Sequence, residues 1–296
     1  MARLLGPQEV RELAERLDVT PTKKLGQNFV IDPNTVRKIV RLAGVEAGDR
    51  VVEVGPGLGS LTLGLTEAGA AVTAVEIDHR LAAELPRTLA AMQPQAADER
   101  RLRVVRADAL NVALDQLADA ETGQVPEVMV ANLPYNVSVP ILMHLLDLLP
   151  GLRSGLVMVQ AEVGHRIAAA AGSKAYGAPS AKAAWYGSWR LAGTVSRQIF
   201  WPVPGVDSVL VGYRRAPVAL GTEAERASTF ALVNAAFAQR RKMLRQSLQG
   251  VLGIPSSADG AAAILAYAGI DPTARAEQLD ITHFLAIARA TESVAH

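Results

Sequence analysis

The feature that most limits the possible folds is a glycine-rich turn between a predicted strand and a predicted helix. A β-branched run over residues 50–54 is followed by Gly55-Pro56-Gly57-Leu58-Gly59 and then by a helical segment over residues 60–67. Glycines in such a turn let the backbone reverse tightly and approach a ligand closely. Nicotinamide and flavin enzymes use similar turns, although the G-x-G-x-G spacing here differs from their G-x-G-x-x-G pattern. A tight turn without a ligand is the alternative.

Strands and helices alternate around this turn. Further strands are predicted over residues 71–77, 101–106, 127–131 and 155–160, with helices over residues 81–92 and 140–149. This alternation predicts an α/β fold with a mostly parallel, doubly wound sheet. Two later strands, residues 191–197 and 208–214, leave little room for a helix between them and predict an antiparallel sheet edge.

The two ends of the chain have a different character. At the start, a helix over residues 7–17, an irregular basic segment over residues 20–29 and a helix over residues 33–42 with Asp32 as N-cap are predicted. After the last strand, a long helix over residues 222–247 and two shorter ones over residues 258–267 and 281–291 are predicted. We therefore expect a first domain over residues 1–215, with an N-terminal helical extension over about residues 1–30, and a small helical domain over residues 216–296.

Charge is distributed unevenly along the 296 residues, although the net charge is only +1. Residues 151–250 contain 13 Lys and Arg against 4 Asp and Glu, whereas residues 51–150 contain 6 against 13. Such asymmetry suggests one face for a polyanion, with a solvated basic surface as the alternative. There is no cysteine, the N-terminus is charged, and no apolar run is long enough to span a membrane. We expect a cytoplasmic monomer with no membrane partner.

Two acidic residues lie at the ends of the second and third strands of the predicted sheet. Glu76 comes about 20 positions after the glycines, where a carboxylate would bind a ribose diol. Asp108 follows the next strand, where a carboxylate can accept a hydrogen bond from the exocyclic amine of adenine. Because ligands of α/β folds bind at the carboxyl ends of the strands, these residues predict a nucleoside pocket.

The strongest motif is Asn132-Leu133-Pro134-Tyr135-Asn136, at the end of the fourth strand. An exocyclic amino nitrogen is a poor nucleophile because its lone pair is delocalised into the ring. The side-chain carbonyl of Asn132 and a main-chain carbonyl near Leu133 or Pro134 could each accept one of the two N–H hydrogens. This would favour a pyramidal nitrogen during its attack on a methyl group. Tyr135 supplies a ring on which an extruded base can stack. A turn without function is the alternative.

These motifs resemble the KsgA/RsmA family of small-subunit ribosomal RNA adenine N6,N6-dimethyltransferases, which is similar to the Erm large-subunit methyltransferases. The resemblance covers about residues 22–290. The matching segments are Leu25-Gly26-Gln27-Asn28-Phe29-Val30, Glu53–Gly59, Glu76-Ile77-Asp78, Asp108-Ala109, Asn132–Asn136, Ser173–Gly177, Phe200–Pro204, Val206-Asp207-Ser208 and Phe237–Leu244.

The resemblance implies a Rossmann-like class I methyltransferase fold, with a seven-stranded sheet, and S-adenosylmethionine as the methyl donor, without a metal. It implies that Tyr135 and Phe200 sandwich the target adenine, and that Asn132 borders the transferred methyl group. The residues expected to contact the donor are Asn28, Val30, Gly55, Glu76, Asp108 and Asn132. The substrate implied is a pair of adjacent adenines near the 3′ end of 16S rRNA in the small ribosomal subunit, each receiving two methyls.

Basic residues near the end of the long helix are the candidates for RNA phosphate contact, with a solvated helix face as the alternative. These residues are Arg240, Arg241, Lys242 and Arg245. Two lysines usual in the family are replaced by Ala161 and Gly205, and Arg197 is a candidate to compensate. The alternatives are an Erm-like enzyme acting on large-subunit rRNA, a ribosome-assembly factor that acts mainly by binding, and a nicotinamide oxidoreductase.

Overall fold

The computed structural model describes residues 3–19, 28–252 and 258–295. Most of the predicted irregular basic segment, residues 20–27, lies outside the described residues. The chain divides into two compact units, Met1–Gly164 with Arg190–Arg214, and His165–Trp189 with Arg215–His296. Residues 165–189, assigned to the first domain from the sequence, thus belong to the second unit.

Helices and strands alternate over residues 29–160 as expected. The strands are β1 (Phe29–Val30), β2 (Arg50–Val54), β3 (Ala71–Glu76), β4 (Leu102–Arg106), β5 (Val128–Asn132), β6 (Ser154–Gln160), β7 (Gly187–Val195), β8 (Phe200–Trp201) and β9 (Ser208–Arg215). The helices up to β7 are α1 (Pro7–Arg16), α2 (Pro33–Ala43), α3 (Ser60–Glu67), α4 (His79–Met92), α5 (Pro94–Asp98), α6 (Leu114–Leu117), α7 (Ser138–Leu148), α8 (Ala161–Ile167) and α9 (Ala178–Tyr186).

Seven of the strands in the described part of the chain form one sheet, in the order β4-β3-β2-β5-β6-β9-β7. Neighbouring strands from β4 to β6 are parallel, and β9 pairs antiparallel with β6. The predicted mostly parallel sheet with an antiparallel edge is therefore confirmed. The carboxyl ends of β2, β3, β4 and β5 consequently lie at one edge, where ligands of such sheets bind.

Local sequence explains how the elements around this edge begin. Asp32 is the N-cap of α2, as predicted, and its carboxylate accepts hydrogen bonds from Asn34 N (3.2 Å) and Thr35 N (3.1 Å). Asp78 caps α4 in the same way, at Arg80 N and Leu81 N. Strands β2 and β5 are almost entirely buried, as expected of central parallel strands that are covered on both faces.

The second unit contains α9 and the helices that follow β9. These are α10 (Glu223–Ala238), α11 (Leu244–Ser247), α12 (Ala258–Tyr267) and α13 (Ile281–Ala295). Helix α10 packs on α13 and α9, and its buried face includes Val233 and Ala236. No described helix combines the length and the apolar character needed to cross a membrane.

The predicted single helix over residues 222–247 is wrong, because α10 ends at Ala238 and α11 begins only at Leu244. Tertiary hydrogen bonds explain the break. The amides of Leu244 and Arg245 donate to the carbonyls of Ala274 (2.8 Å) and Pro272 (3.2 Å) instead of to a preceding helical turn. The basic residues predicted to lie on a helix therefore lie mainly in the turn between α10 and α11.

Candidate active site

The glycine-rich turn leaves β2 and enters α3 with three residues in the left-handed region. Gly55, Gly57 and Gly59 have φ values of 65°, 58° and 97°, which favour glycine. At Gly57 there is also no space for a side chain, since a Cβ would lie 2.8 Å from Cε1 of Phe29. The backbone of this turn therefore lies closely against the Phe29 ring, and its predicted close approach to a ligand stays a prediction.

Glu76, the last residue of β3, is oriented by two main-chain amides. Its Oε2 accepts a hydrogen bond from Gly57 N (3.1 Å), and its Oε1 accepts one from Asp78 N (3.0 Å). Burial raises the pKa of this carboxyl, while the amide hydrogen bonds oppose the rise. The side chain is thus held at the carboxyl end of β3, directly beside the glycine turn.

Glu53 is a second buried acid that the sequence analysis did not assign. It is only 1% exposed, and its Oε2 accepts a hydrogen bond from the hydroxyl of Thr62 (2.6 Å). Burial raises the pKa of Glu53 to about 8, and the nearby charge of Glu76 adds to the rise. An acidic residue inside the apolar run of β2 was the signal that pointed to it.

Asp108 lies two residues beyond β4, where its carboxylate shapes the loop. Its Oδ1 accepts a hydrogen bond from the main-chain amide of Leu110 (2.9 Å), and its Oδ2 accepts one from the side-chain amide Nδ2 of Asn111 (3.3 Å). This arrangement fixes the carboxylate at the same sheet edge as Glu76.

Asn132 is the last residue of β5, and its side-chain orientation is set by the N-terminal segment. Its Nδ2 donates a hydrogen bond to the carbonyl of Asn28 (3.1 Å). With the donor end used in this way, Oδ1 is the end of the amide that can accept a hydrogen bond from a substrate. The Leu133 amide donates to Met158 O (3.0 Å), which fastens the start of the loop to β6.

The residues just described surround a single cleft in the first unit. All six residues predicted to contact the donor line it, and so does Glu53. The lining also includes apolar side chains from the glycine turn, α3, α4 and α7, among them Leu58, Leu61, Leu81 and Ile141. The structure thus brings three acids, the glycine turn and Asn132 together, with an apolar wall that suits a nucleoside.

The two residues predicted to stack on the target base do not line this cleft. The Tyr135 hydroxyl lies 2.6 Å from Oγ of Ser208, and the ring is partly buried. Phe200 is 1% exposed and pairs with Val30 in a short antiparallel sheet of β1 and β8. The structure thus buries Phe200 in the apolar core of the first unit, and its predicted stacking on the target base stays a prediction.

The predicted RNA-binding residues have two different environments in the second unit. Arg240 forms an ion pair with Glu277 (2.9 Å) and also donates to the carbonyl of Lys174 (3.1 Å). Arg241 and Lys242 are exposed, and Arg245 is partly buried. Arg240 therefore holds the loop at Lys174 in place, while Arg241 and Lys242 are the residues most accessible to a phosphate.

Comparison with known proteins agrees with this geometry. The family described as "Ribosomal RNA adenine dimethylase" matches residues 20–292. The protein named ribosomal RNA small subunit methyltransferase A from Leifsonia xyli subsp. xyli is 64% identical over 286 residues, covering 97% of this chain and 98% of that protein. The protein of the same name from Thermobifida fusca is 58% identical and covers 97% of this chain and 96% of its own length.

Solved structures support the fold assignment. A dimethyladenosine transferase from Plasmodium falciparum has a TM-score of 0.72 at 22% identity, covering 88% of this chain and 95% of its own. The 23S rRNA methyltransferase ErmE has a TM-score of 0.62 at 25% identity, covering 90% and 100%. The predicted class I methyltransferase fold is confirmed, and the nicotinamide oxidoreductase alternative is excluded. The cleft contains the glycine turn, Glu76, Asp108 and the Asn132 loop. Together with the family match over residues 20–292 and the identity to the two relatives, this shows that the chain belongs to the ribosomal RNA adenine dimethylase family and is a methyltransferase.

Proposed function

We propose that this protein dimethylates N6 of two adjacent adenines near the 3′ end of 16S rRNA, with S-adenosylmethionine as the donor. The observation that carries the proposal is the position of Asn132, whose amide is anchored to Asn28 at the edge of the nucleoside cleft. The names of the relatives from Leifsonia xyli and Thermobifida fusca support the small subunit as the target.

The residues of the cleft fit S-adenosylmethionine, which supplies an electrophilic methyl group when bound. Glu76 is a buried carboxylate suited to the two ribose hydroxyls, and Asp108 is suited to the exocyclic amine of the adenine. Gly55 and Gly57 line the cleft without side chains, so the backbone of the turn is suited to close approach by the donor. Asn28 and Val30, which line the same cleft, are the candidates for the methionine end.

Asn132 acts on the amino group of the target adenine. Its Oδ1 accepts one N–H, and a main-chain carbonyl of the following loop accepts the other. We favour Leu133 for the second contact, because the Pro134 carbonyl already accepts a hydrogen bond from Val137 N (3.2 Å). Two acceptors at the nitrogen favour the pyramidal geometry of the transition state, which is where stabilisation increases the rate.

Proton removal needs no dedicated base in this scheme. Alkylation makes the nitrogen acidic, so its proton can leave to solvent after each transfer. The chain's contribution is therefore to orient the amine, to hold the donor and to exclude competing geometries.

RNA phosphates are the proposed partners of Arg241 and Lys242, the exposed cations of the turn after α10. Arg197, the candidate to replace the family's missing lysines, forms an ion pair with Asp207 (2.6 Å). Its charge is therefore partly neutralised, and we assign the phosphate contacts mainly to the second unit.

The test is methyl transfer from labelled S-adenosylmethionine to undermethylated small subunits and, in parallel, to large-subunit RNA. The RNA is digested to nucleosides, which are identified by mass. We expect dimethyladenosine from the small subunit only. Label in large-subunit RNA alone would identify an Erm-like enzyme, and tight particle binding without label would favour an assembly factor.

A further inference from the structure

The hydroxyl groups of Tyr135 and Ser208 lie 2.6 Å apart, at hydrogen-bond distance. Tyr135 belongs to the Asn132-Leu133-Pro134-Tyr135 loop after β5, and Ser208 is the first residue of β9. The two residues are 73 positions apart in the chain, so only the tertiary structure brings them together. The bond is short and its serine is 2% exposed, so little water can compete with it.

The sheet holds Ser208 in a defined position. It lies opposite Gln160 in the antiparallel pairing of β6 with β9, and the preceding carbonyl of Asp207 accepts a hydrogen bond from Ala161 N (2.8 Å). On the other side of β6, Asn132 lies opposite Met158. The hydrogen bond therefore passes from the loop after β5 across the end of β6 to β9, and its serine is fixed to the rigid part of the sheet.

A tyrosine ring has two rotatable bonds, at χ1 and χ2. The backbone fixes one end of the ring, and a hydrogen bond at the hydroxyl fixes the opposite end. Both torsions are then restrained, and with them the plane of the ring. The loop residue Tyr135 consequently presents its ring in one orientation, although loops are in general more mobile than the sheet.

We propose that Ser208 is a positioning residue for RNA methylation, which holds the Tyr135 ring in the orientation in which the target adenine stacks on it. This inference rests on the proposed function and on the stacking of the target adenine on Tyr135 that the family resemblance implies. Ser208 does not touch the RNA or the donor in this scheme and acts only through the tyrosine. The Tyr135 ring is then ordered before the adenine binds. Such preorganisation lowers the entropic cost of placing the adenine in a productive geometry.

The experiment is a double-mutant cycle with Ser208→Ala, Tyr135→Phe and the double variant. Each single variant should lower kcat/KM for RNA about tenfold, the usual effect of one hydrogen bond. The double variant should be no worse than either single one, because both changes remove the same bond. The KM for S-adenosylmethionine should stay unchanged, since neither residue lines the donor cleft.

Two controls separate positioning from a general loss of structure. Ser208→Thr keeps a hydroxyl and should restore most of the activity. Ser180→Ala removes another buried serine, whose hydroxyl donates to Arg166 O (2.5 Å) in the second unit. It should affect the thermal unfolding midpoint without changing kcat/KM. RNA with 2-aminopurine at the target position should show less stacking-induced quenching with Ser208→Ala than with wild type.

Each outcome bears on a separate claim. Multiplicative losses of about a hundredfold in the double variant, or a change in the donor KM, would overturn the role of Ser208. The same holds if Ser208→Ala behaves like Ser180→Ala. A folded wild type that forms no dimethyladenosine on small subunits would overturn the proposed function, and with it the role of Tyr135.

Discussion

The side-chain amide of Asn132 donates a hydrogen bond to the main-chain carbonyl of Asn28, 104 positions earlier in the chain. The carbonyl of Asn28 requires a donor, so it selects one of the two orientations that an asparagine amide can adopt. The contact with Asn28 thereby leaves Oδ1 of Asn132 as the end of the amide that, in our proposal, accepts a hydrogen bond from the target adenine.

Asn132→Ala removes the proposed acceptor of the target N–H. We expect kcat to fall by about 10²–10³-fold, as for the loss of one preorganised transition-state hydrogen bond. RNA affinity should change less than twofold, because phosphate contacts dominate it. Single-turnover methyl transfer and a filter-binding assay measure the two effects. An equal loss in both would show that Asn132 binds substrate without a specific role in the transfer.

Glu76→Gln removes the charge that two amides and, in our proposal, two ribose hydroxyls share. We expect the donor Kd to rise about 10-fold or more, since hydrogen bonds to a charged group contribute about 1.5–3 kcal/mol. Glu67→Gln is the matched control, because Glu67 pairs with Arg37 and does not line the cleft. Calorimetric titration with S-adenosylmethionine measures the donor Kd of both variants. Equal affinities would contradict the assignment of Glu76 to the ribose hydroxyls.

Glu53 should make the protein less stable as the pH rises. Its pKa is about 8 in the folded protein and near 4.5 when unfolded, so the folded state retains a proton that the unfolded state has lost between these values. The free energy of unfolding should therefore fall with pH across this window, by up to about 1.4 kcal/mol per pH unit. Burial also raises the pKa of Glu76, which contributes to the fall in the free energy of unfolding in the same direction.

Glu53→Gln tests this dependence, because glutamine fits the site of Glu53 and keeps an acceptor for Thr62. Urea unfolding at pH 5, 6, 7 and 8 should show a flatter profile for the variant than for wild type. Identical profiles would mean that the carboxyl of Glu53 does not carry the effect.

Arg241→Gln and Lys242→Gln should weaken RNA binding without affecting the fold. Each should reduce the slope of log Kd against log salt by about 0.7–0.9, the value for one phosphate contact. Arg240→Gln should in addition lower the thermal midpoint, because it leaves Glu277 and the carbonyl of Lys174 without their partner. Salt titrations and thermal unfolding of the three variants separate these effects, and an unchanged slope for Arg241 and Lys242 would place the RNA elsewhere.

Phe200→Ala should destabilise the protein by about 3–5 kcal/mol, as expected for a buried phenylalanine. Tyr135→Ala, at a partly buried position, should cost less stability but abolish methyl transfer. Denaturant unfolding and activity of the two variants give the comparison. A small stability loss for Phe200→Ala with complete loss of methylation would support the stacking of Phe200 on the target adenine. It would also show that the residues around Phe200 rearrange when RNA binds.

Much of the donor cleft could be predicted from the chain alone. The glycine turn, Glu76, Asp108 and Asn132 each lie at the end of a predicted strand, and parallel strands end at the same edge of a sheet. Periodicity and spacing are local properties of a sequence, so they were sufficient to identify these positions. Glu53 could be noticed in the sequence as a charged residue in an apolar strand. Its raised pKa could not, because it depends on burial by the surrounding atoms.

Other features depended on partners that are distant in the sequence. The break after α10 arises because the amides of Leu244 and Arg245 bond to residues some 30 positions later, which helical periodicity cannot show. Phe200 matches a motif residue that the resemblance places against the target adenine, yet the structure buries it in the core, where it is 1% exposed. The sequence by itself determined which residues lie at the edge of the sheet that carries the cleft. Only the tertiary structure decided which side chains are exposed there and what holds them, because burial and hydrogen-bond partners are set by contacts between distant segments.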